Sequence, residues 1–308
     1  MILYRTPDHR FARLEDWPYE PIYTHVEGGP LGPIRVAHYV DGPEDGPVVL
    51  CLHGEPTWAY LYRKMMPILA AAGARVIVPD LVGFGRSDKP VNQDSYTYAQ
   101  MLAWLAEWFL ARKLSEVTLF CQDWGGLLGL RLVAAHPECF ARVVAANTFL
   151  PDGHTRLTEA FYRWRSYSQR VASFDCGAIV NQATSRGISA GAVEAYNAPY
   201  ALERHKAGPR RMPMLVPDNP NDREIRANES AWFQLERFEK PFLTLFADGD
   251  PVTAPFAAEL RQRIPGASGQ PHAVIERAGH FLQEDAPEEL AARTIAFMGL
   301  LDTREVEA

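Results

Sequence analysis

The chain has 308 residues, 47% hydrophobic and 22% charged, an ordinary balance for a folded protein with one sizeable core. A net charge of -7 argues against nucleic acid or an anionic membrane as the main partner. No apolar run is long enough to span a bilayer, and the opening MILYRTPDHRF lacks the basic-then-apolar order of a signal peptide, so a cytoplasmic protein is expected.

Residues 1–27 read as an irregular lead-in, broken by Trp17-Pro18 and Pro21. Residues 34–39 alternate like an exposed strand, and 41–46 form a turn cluster. Residues 48–52 predict a buried strand ending at His53-Gly54-Glu55-Pro56-Thr57-Trp58. A helix over 61–72 stops at Gly73. The next strand, 75–79, leads to Asp80 and then Gly83-Phe84-Gly85-Arg86-Ser87-Asp88. Residues 98–112 have the period of an amphipathic helix. Then comes VTLFCQDWGG, an apolar run ending in two glycines, with a helix over 127–135 behind it. Residues 143–147 are another short buried strand. This alternation is the signature of a mostly parallel, doubly wound α/β sheet.

After Leu150 the pattern changes to helical stretches, scattered aromatics and a proline-rich piece at 209–220. Strand logic resumes at 242–247, ending in Asp248-Gly249-Asp250. A helix over 254–264, a strand over 273–276, the loop Ala278-Gly279-His280-Phe281 and a helix over 287–301 follow; the tail DTREVEA is expected to fray. The reading is therefore a main domain of residues 1–150 and 226–308 with a helical cap, 151–225, inserted into it. The four cysteines, Cys51, Cys121, Cys139 and Cys176, show no paired spacing. Cys51 and Cys121 sit in apolar runs and are expected as buried free thiols.

The chemistry centres on VTLFCQDWGG. A strand turning sharply into a helix is the context of a nucleophile elbow, where small residues flank the nucleophile two places away on each side. Here the small residues are Cys121 and Gly125, which puts Asp123 between them. An aspartate, with an ordinary pKa of about 3.9, needs no base to become a nucleophile. It suits displacement of a leaving group from saturated carbon or the opening of a strained ring. The product is an ester of the enzyme, and water activated by a histidine must cleave it. In parallel sheets functional groups gather at the carboxyl ends of strands. Asp123, Asp250 and His280 lie at three such ends, in the chain order nucleophile, acid, histidine. Asp248 competes with Asp250 for the acid. Asp250 sits farther into its loop and can reach back to a histidine, while Asp248 can brace the turn. Taken alone, Asp123 could be a helix N-cap and His280 a surface histidine.

The oxyanion formed when the ester is cleaved needs two backbone N–H donors. Trp124 supplies one and Glu55 the other; the Glu55 side chain, if ionised, accepts hydrogen bonds and cannot donate them. The Trp124 indole offers one donor and no acceptor on an apolar body, which suits a departing halide. A buried anion needs more than one dipole. A second donor should hang from the cap, whose tryptophan is Trp164. Two motifs are decoys. Gly187-Ile188-Ser189-Ala190-Gly191 matches G-x-S-x-G with no apolar strand before it, and reads as a loop or helix start. Gly83-Phe84-Gly85 lacks the helix a nucleotide loop needs, because Lys89-Pro90 follows. Nine histidines show neither H-x-H nor H-E-x-x-H spacing, so no metal site is expected.

His53-Gly54-Glu55-Pro56-Thr57-Trp58, Gln122-Asp123-Trp124-Gly125-Gly126 and Ala278-Gly279-His280-Phe281 resemble the haloalkane dehalogenases of the α/β-hydrolase superfamily. The match is closest to the branch typified by the Xanthobacter enzyme. It runs from Arg5-Thr6-Pro7-Asp8 to the last helix and is weakest in the cap. The resemblance implies that Asp123 is the nucleophile, Trp124 and Trp164 bind halide, and Asp250 and His280 complete the triad. It also places Phe161 on a cap aromatic that lines the pocket. The other main branch has Asn where this chain has Glu55.

The expectation is hydrolysis of short haloalkanes to alcohol and halide, with no cofactor, metal, nucleic-acid or membrane partner, by a chain expected as a monomer. The first rival is an epoxide hydrolase with the same aspartate, which would use two cap tyrosines from Tyr162, Tyr167, Tyr196 and Tyr200. Fluoroacetate-type dehalogenation would need cationic cap residues. A non-catalytic ligand receptor on the same fold is the third alternative.

Overall fold

In the computed structural model, which describes residues 2–300, the main strands are β1 (Ile22–Val26), β2 (Ile34–Asp41), β3 (Val48–Leu52), β4 (Arg75–Pro79), β5 (Val117–Gln122), β6 (Phe140–Ala146), β7 (Phe242–Ala247) and β8 (Ala273–Ile275). They form one eight-stranded sheet in the order β8-β7-β6-β5-β3-β4-β2-β1. The pairings are parallel from β8 to β4, and antiparallel where β4 meets β2 and β2 meets β1. The central position of β5 follows from its sequence. All six of its residues are buried, because helices cover both faces of a parallel strand.

The sheet corrects two expectations. The lead-in is not irregular throughout, since Ile22–Val26 is the edge strand. Residues 34–39 are not exposed; β2 lies inside the sheet between β1 and β4 and is mostly buried. Two helices are also shorter than their pattern. The stretch 61–72 opens as a tight turn, Ala59–Tyr62, and becomes α1 (Met66–Ala71) with a proline in its first turn. A proline is tolerated there because the first amides of a helix have no internal partner. The stretch 254–264 likewise begins as a tight turn, Ala254–Phe256.

On the helical side, α2 (Tyr98–Ala111) and α3 (Trp124–Ala135) flank β5 in sequence, and both pack together. Between β6 and β7 the described chain contains helices and no strand: α4 (Glu159–Arg170), α5 (Cys176–Gln182), α6 (Ala190–Asn197), α7 (Ala207–Leu215) and α8 (Ile225–Leu235). Here α4 packs on α7 and α5 on α6, whereas α8 returns to α3. Ser189 is the N-cap of α6, accepting from Ala192 N at 3.0 Å, so the literal G-x-S-x-G is a helix start. After β7 come α9 (Ala257–Arg263), a short α10 (Leu282–Asp285) and α11 (Pro287–Met298). Leu301 and the tail DTREVEA lie outside the described residues. No helix among those described is long and apolar enough to cross a membrane. All four cysteines are free, and Cys51, Cys121 and Cys176 are buried.

Gly125 decides how closely α3 can approach β3. A Cβ on Gly125 would overlap the carbonyls of Leu52 and His53. We expect Gly125→Ala to lower the unfolding free energy by about 1–3 kcal/mol, the usual cost of overpacking. Denaturant unfolding measures this, and an unchanged midpoint would contradict the close approach.

Candidate active site

The strand β5 delivers Asp123 in a backbone conformation that few side chains tolerate, φ 51° and ψ −128°. Such a residue costs about 1–3 kcal/mol and persists only where its surroundings fix it. They do so here. Asp123 N donates to Asn147 O at 3.0 Å, and Asp123 O accepts from Gly126 N at 2.9 Å and from the Thr148 hydroxyl at 2.8 Å. The turn lifts the carboxyl clear of the strand. Its Oδ1 accepts from Glu55 N at 2.8 Å, and its Oδ2 lies 3.5 Å from His280 Nε2.

His280 reaches the same place from the loop after β8. Its Nδ1 is 3.1 Å from Asp250 Oδ2. Asp250, only 2% exposed, is fixed in turn by Val252 N at 2.9 Å, by Thr253 N at 3.2 Å and by the Thr253 hydroxyl. Burial works against the charge of Asp250, but the imidazole and the Thr253 and Val252 donors outweigh it and hold its carboxyl below the usual range. Asp248 takes the bracing part, accepting from Ala278 N at 3.3 Å. Burial alone would lower the pKa of His280. Asp250 and Asp123 reverse this and push it up to about 10.

Glu55 behaves differently from an ordinary glutamate. It is 4% exposed, and its Oε1 has no hydrogen-bond partner. Burial, then the neighbouring Asp123 charge, raise its pKa well above the usual value; His280 and the Trp164 indole oppose them without prevailing. Its surroundings thus favour the protonated carboxyl, which can donate a hydrogen bond as the ionised form cannot.

Glu55, Asp123, Trp124, Phe161, Trp164 and His280 all border one cavity of about 380 Å³. Every predicted site residue is thus brought together, with Asp250 beneath His280. Trp124 is fixed edge-on against Tyr98, centroids 5.0 Å apart, and Trp164 packs beside Phe174 at 5.9 Å. Among the described residues that border the cavity there is no Lys, Arg or Tyr. Of the tyrosines an epoxide hydrolase would need, Tyr196 donates to Glu284 Oε1 at 2.6 Å and Tyr200 faces Gly83 O at 3.4 Å. No group of three His, Cys, Asp or Glu side chains among the described residues is arranged as a metal site.

Two residues escaped the sequence reading. Gln122 Nε2 lies 3.1 Å from both His280 Nε2 and His280 O. Asn147 Nδ2 donates to Gly279 O and His280 O, each at 3.0 Å, while its Oδ1 accepts from Ala247 N at 2.9 Å. Both sit at the ends of central strands, and only the order of strands in the sheet brings them to the histidine.

A family model described as the alpha/beta hydrolase fold matches residues 47–287. The haloalkane dehalogenase of Psychrobacter cryohalolentis is 48% identical over 299 residues, 97% of this chain and 98% of that one. Haloalkane dehalogenase 1 of Mycobacterium tuberculosis is 47% identical over 297 residues, 96% and 99% of the two chains. The chain belongs to the haloalkane dehalogenases. Among solved structures, the haloalkane dehalogenase DpaA of Paraglaciecola agarilytica superposes with a TM-score of 0.88 at 33% identity, covering 96% of this chain and 98% of that one. The dehalogenase likeness thus spans the helical segment as well as the sheet.

The raised pKa of His280 has a consequence for stability. The folded state binds the imidazolium more tightly than the unfolded chain, so this stabilisation is complete below the ordinary pKa of 6.5 and disappears as pH rises through about 10. We expect the unfolding free energy of the wild type to fall between those limits, and to fall less in His280→Gln. Denaturant titrations across the range measure it; parallel curves for the two proteins would contradict the assignment.

Proposed function

We propose that this chain hydrolyses carbon–halogen bonds in short haloalkanes, giving alcohol, halide and a proton through an ester of Asp123. One observation carries the reading: the Asp123 carboxyl, held by Glu55 N, opens into an apolar cavity bordered by two tryptophans and no Lys, Arg or Tyr. That lining suits an uncharged haloalkane. It offers nothing to the carboxylate of a fluoroacetate-type substrate and no tyrosine to an epoxide.

Oδ1 of Asp123 is engaged by Glu55 N, which leaves Oδ2 to attack the halogen-bearing carbon. The carbon–halogen bond breaks and its electron pair leaves with the halide. The Trp124 and Trp164 indoles donate to the departing ion, and Phe161 fills the apolar wall. Esterification removes the Asp123 charge and with it one of the groups that raise the pKa of His280. The ring can then release its proton to solvent, the proton among the products, and is readied as a base. It takes a proton from water, and the hydroxide attacks the ester carbonyl carbon. The oxyanion forms at Oδ1, between the N–H groups of Glu55 and Trp124. Collapse breaks the bond between Cγ and the alkoxy oxygen, and the hydroxyl proton of the intermediate passes to that oxygen. The alcohol leaves while Asp250 steadies the imidazolium and the Asp123 carboxylate is restored.

Residues 151–225 act in this scheme as a cap that supplies Trp164 and Phe161. No cofactor enters it. Every group comes from one chain, so a monomer suffices, although the structure of the Paraglaciecola relative is a tetrameric one. Four free cysteines fit a reducing cytoplasm, where we place the protein.

The test is halide release from a panel of bromo- and chloroalkanes with an epoxide alongside. Halide without diol is expected. Diol alone would give the site to the epoxide hydrolases, and haloalkane binding without turnover would make it a receptor. With His280→Gln, mass spectrometry should find the alkyl group retained on the peptide that carries Asp123; its absence would remove the covalent route. Trp164→Phe should bind halide about ten-fold more weakly, the worth of one hydrogen bond to a charge. Quenching of tryptophan fluorescence by bromide reads that change, and an unaltered affinity would take Trp164 out of the halide site.

A further inference from the structure

The loop that carries His280 is not held by the sheet alone. Its other support is the segment that leaves α5. His280 N donates to Ala183 O at 2.8 Å, so the backbone of the histidine itself is tied to that segment. The two chains pass so closely that a Cβ on Gly279 would overlap Ala183 O and crowd Thr184 Cα. Ala183, Thr184 and Ser185 also form part of the cavity wall. One stretch of backbone therefore bounds the substrate space and positions the base.

A single side chain fastens this contact. Asp285, at the end of α10 and 3% exposed, places its carboxyl between the two segments. Oδ2 accepts from Gly279 N at 2.8 Å and from Ser185 N at 2.9 Å, and Oδ1 accepts from Arg186 N at 3.0 Å. Those three N–H groups come from the residue before the histidine and from the segment across it. Hydrogen bonds to a carboxylate are roughly twice as strong as those between neutral groups. The neighbouring Glu284 faces a different set of partners: Arg63 at 2.5 Å, Lys64 at 2.9 Å and the Tyr196 hydroxyl at 2.6 Å.

We propose that Asp285 is a positioning residue for the second half of the reaction, clamping residues 185–186 to Gly279 so that the His280 ring stays aimed at the ester. This rests on the assignment of Asp123 and His280 above. Displacement of halide uses Asp123, which is fixed by β5, β6 and Glu55 and touches none of the clamp. Hydrolysis of the ester uses His280, which depends on it. Loss of the clamp should therefore separate the two steps. Asp285→Asn keeps the volume and removes the charge. Its amide NH2 must face an N–H on one side, so at least one of the three bonds is lost whichever way the group turns.

The experiment is rapid-quench measurement of halide and alcohol in the first turnover of a bromoalkane, with the wild type and Asp285→Asn compared. Halide release in the first turnover should stay within about two-fold of the wild type, while steady-state turnover falls roughly ten- to hundred-fold, the scale of a misplaced catalytic group. The covalent ester should accumulate in the variant and be seen by mass spectrometry. Tyr196→Phe, which cuts a contact of the adjacent carboxylate, is the control and should keep the wild-type partition. Gly279→Ala pushes the segment away with the carboxylate intact and should reproduce the Asp285→Asn partition, which covers the case in which Asp285→Asn does not fold. Equal loss of both steps, loss of neither, or the same partition in Tyr196→Phe would overturn the proposal. So would failure of both clamp variants to fold, since the carboxylate would then be a stability element. Absence of any covalent ester in the wild type and in His280→Gln would instead strike the Asp123 assignment, and so tells the two failures apart.

Discussion

The constraint on which the rest depends is the bend at Asp123. A residue at φ 51° is uphill by itself, and here the bend is held from three sides by Asn147 O, Gly126 N and the Thr148 hydroxyl. What that fixation provides is a direction. The carboxyl leaves the strand end pointing into the cavity, with one oxygen engaged by Glu55 N and the other 3.5 Å from His280 Nε2. Every other functional group is placed by reference to that vector. The loop after β3 brings Glu55 to one oxygen, and the loop after β8 brings His280 to the other. β3 is the immediate neighbour of β5, so Glu55 is close at hand, whereas β8 is the edge strand three places away and His280 must reach back across β7 and β6.

The electrostatics follow from the same geometry. Four ionisable side chains share a small buried volume, and they cannot all be charged. Burial and the Asp123 charge push the Glu55 carboxyl towards its protonated form, while Asp250 and Asp123 favour the imidazolium of His280. In the proposed scheme the reaction moves negative charge from Asp123 to the halide, within reach of the indoles, and then out of the cavity. Each transfer changes the field at His280. The ring is protonated when a base would be useless and gives up its proton as an ester replaces the carboxylate. The cation needs no separate trigger, because the substrate chemistry itself removes one of the charges that hold the proton.

What the sequence made legible divides by range. The run VTLFCQ, the bend at Asp123 and the chain order of Asp123, Asp250 and His280 are local patterns or follow from the rules of parallel sheets, and they could be read directly. The edge strand at Ile22–Val26 could not, since only Val26 is buried and an edge strand shows no strong alternation. The alternation of residues 34–39 therefore suggests an exposed strand, whereas β2 lies covered between β1 and β4. Gln122 and Asn147 were missed for a different reason. An amide carries no chemical signature in a sequence, and its partner is 158 residues away for Gln122 and 133 for Asn147. The raised pKa of Glu55 is a property of burial, which no spacing reveals. Trp164 was legible only through the family likeness and the position of the cap.

The helical segment is bound to the chemistry more closely than a lid would be. It contributes Trp164 and Phe161 to the cavity, but its backbone also accepts the His280 amide. A cover that merely excluded water could vary freely. This one is limited in where it can change. Side chains of α4 and α5 face the cavity, whereas residues 183–186 are bonded to the Gly279–His280 loop, directly through Ala183 O and by way of the Asp285 carboxyl. The segment 183–185 thus borders the cavity and supports the base at once, while α4 contributes only to the wall. The narrow passage between Ala183 and Gly279 is the point where the two roles meet, and there a single missing Cβ allows the cavity wall to serve as the support of the base.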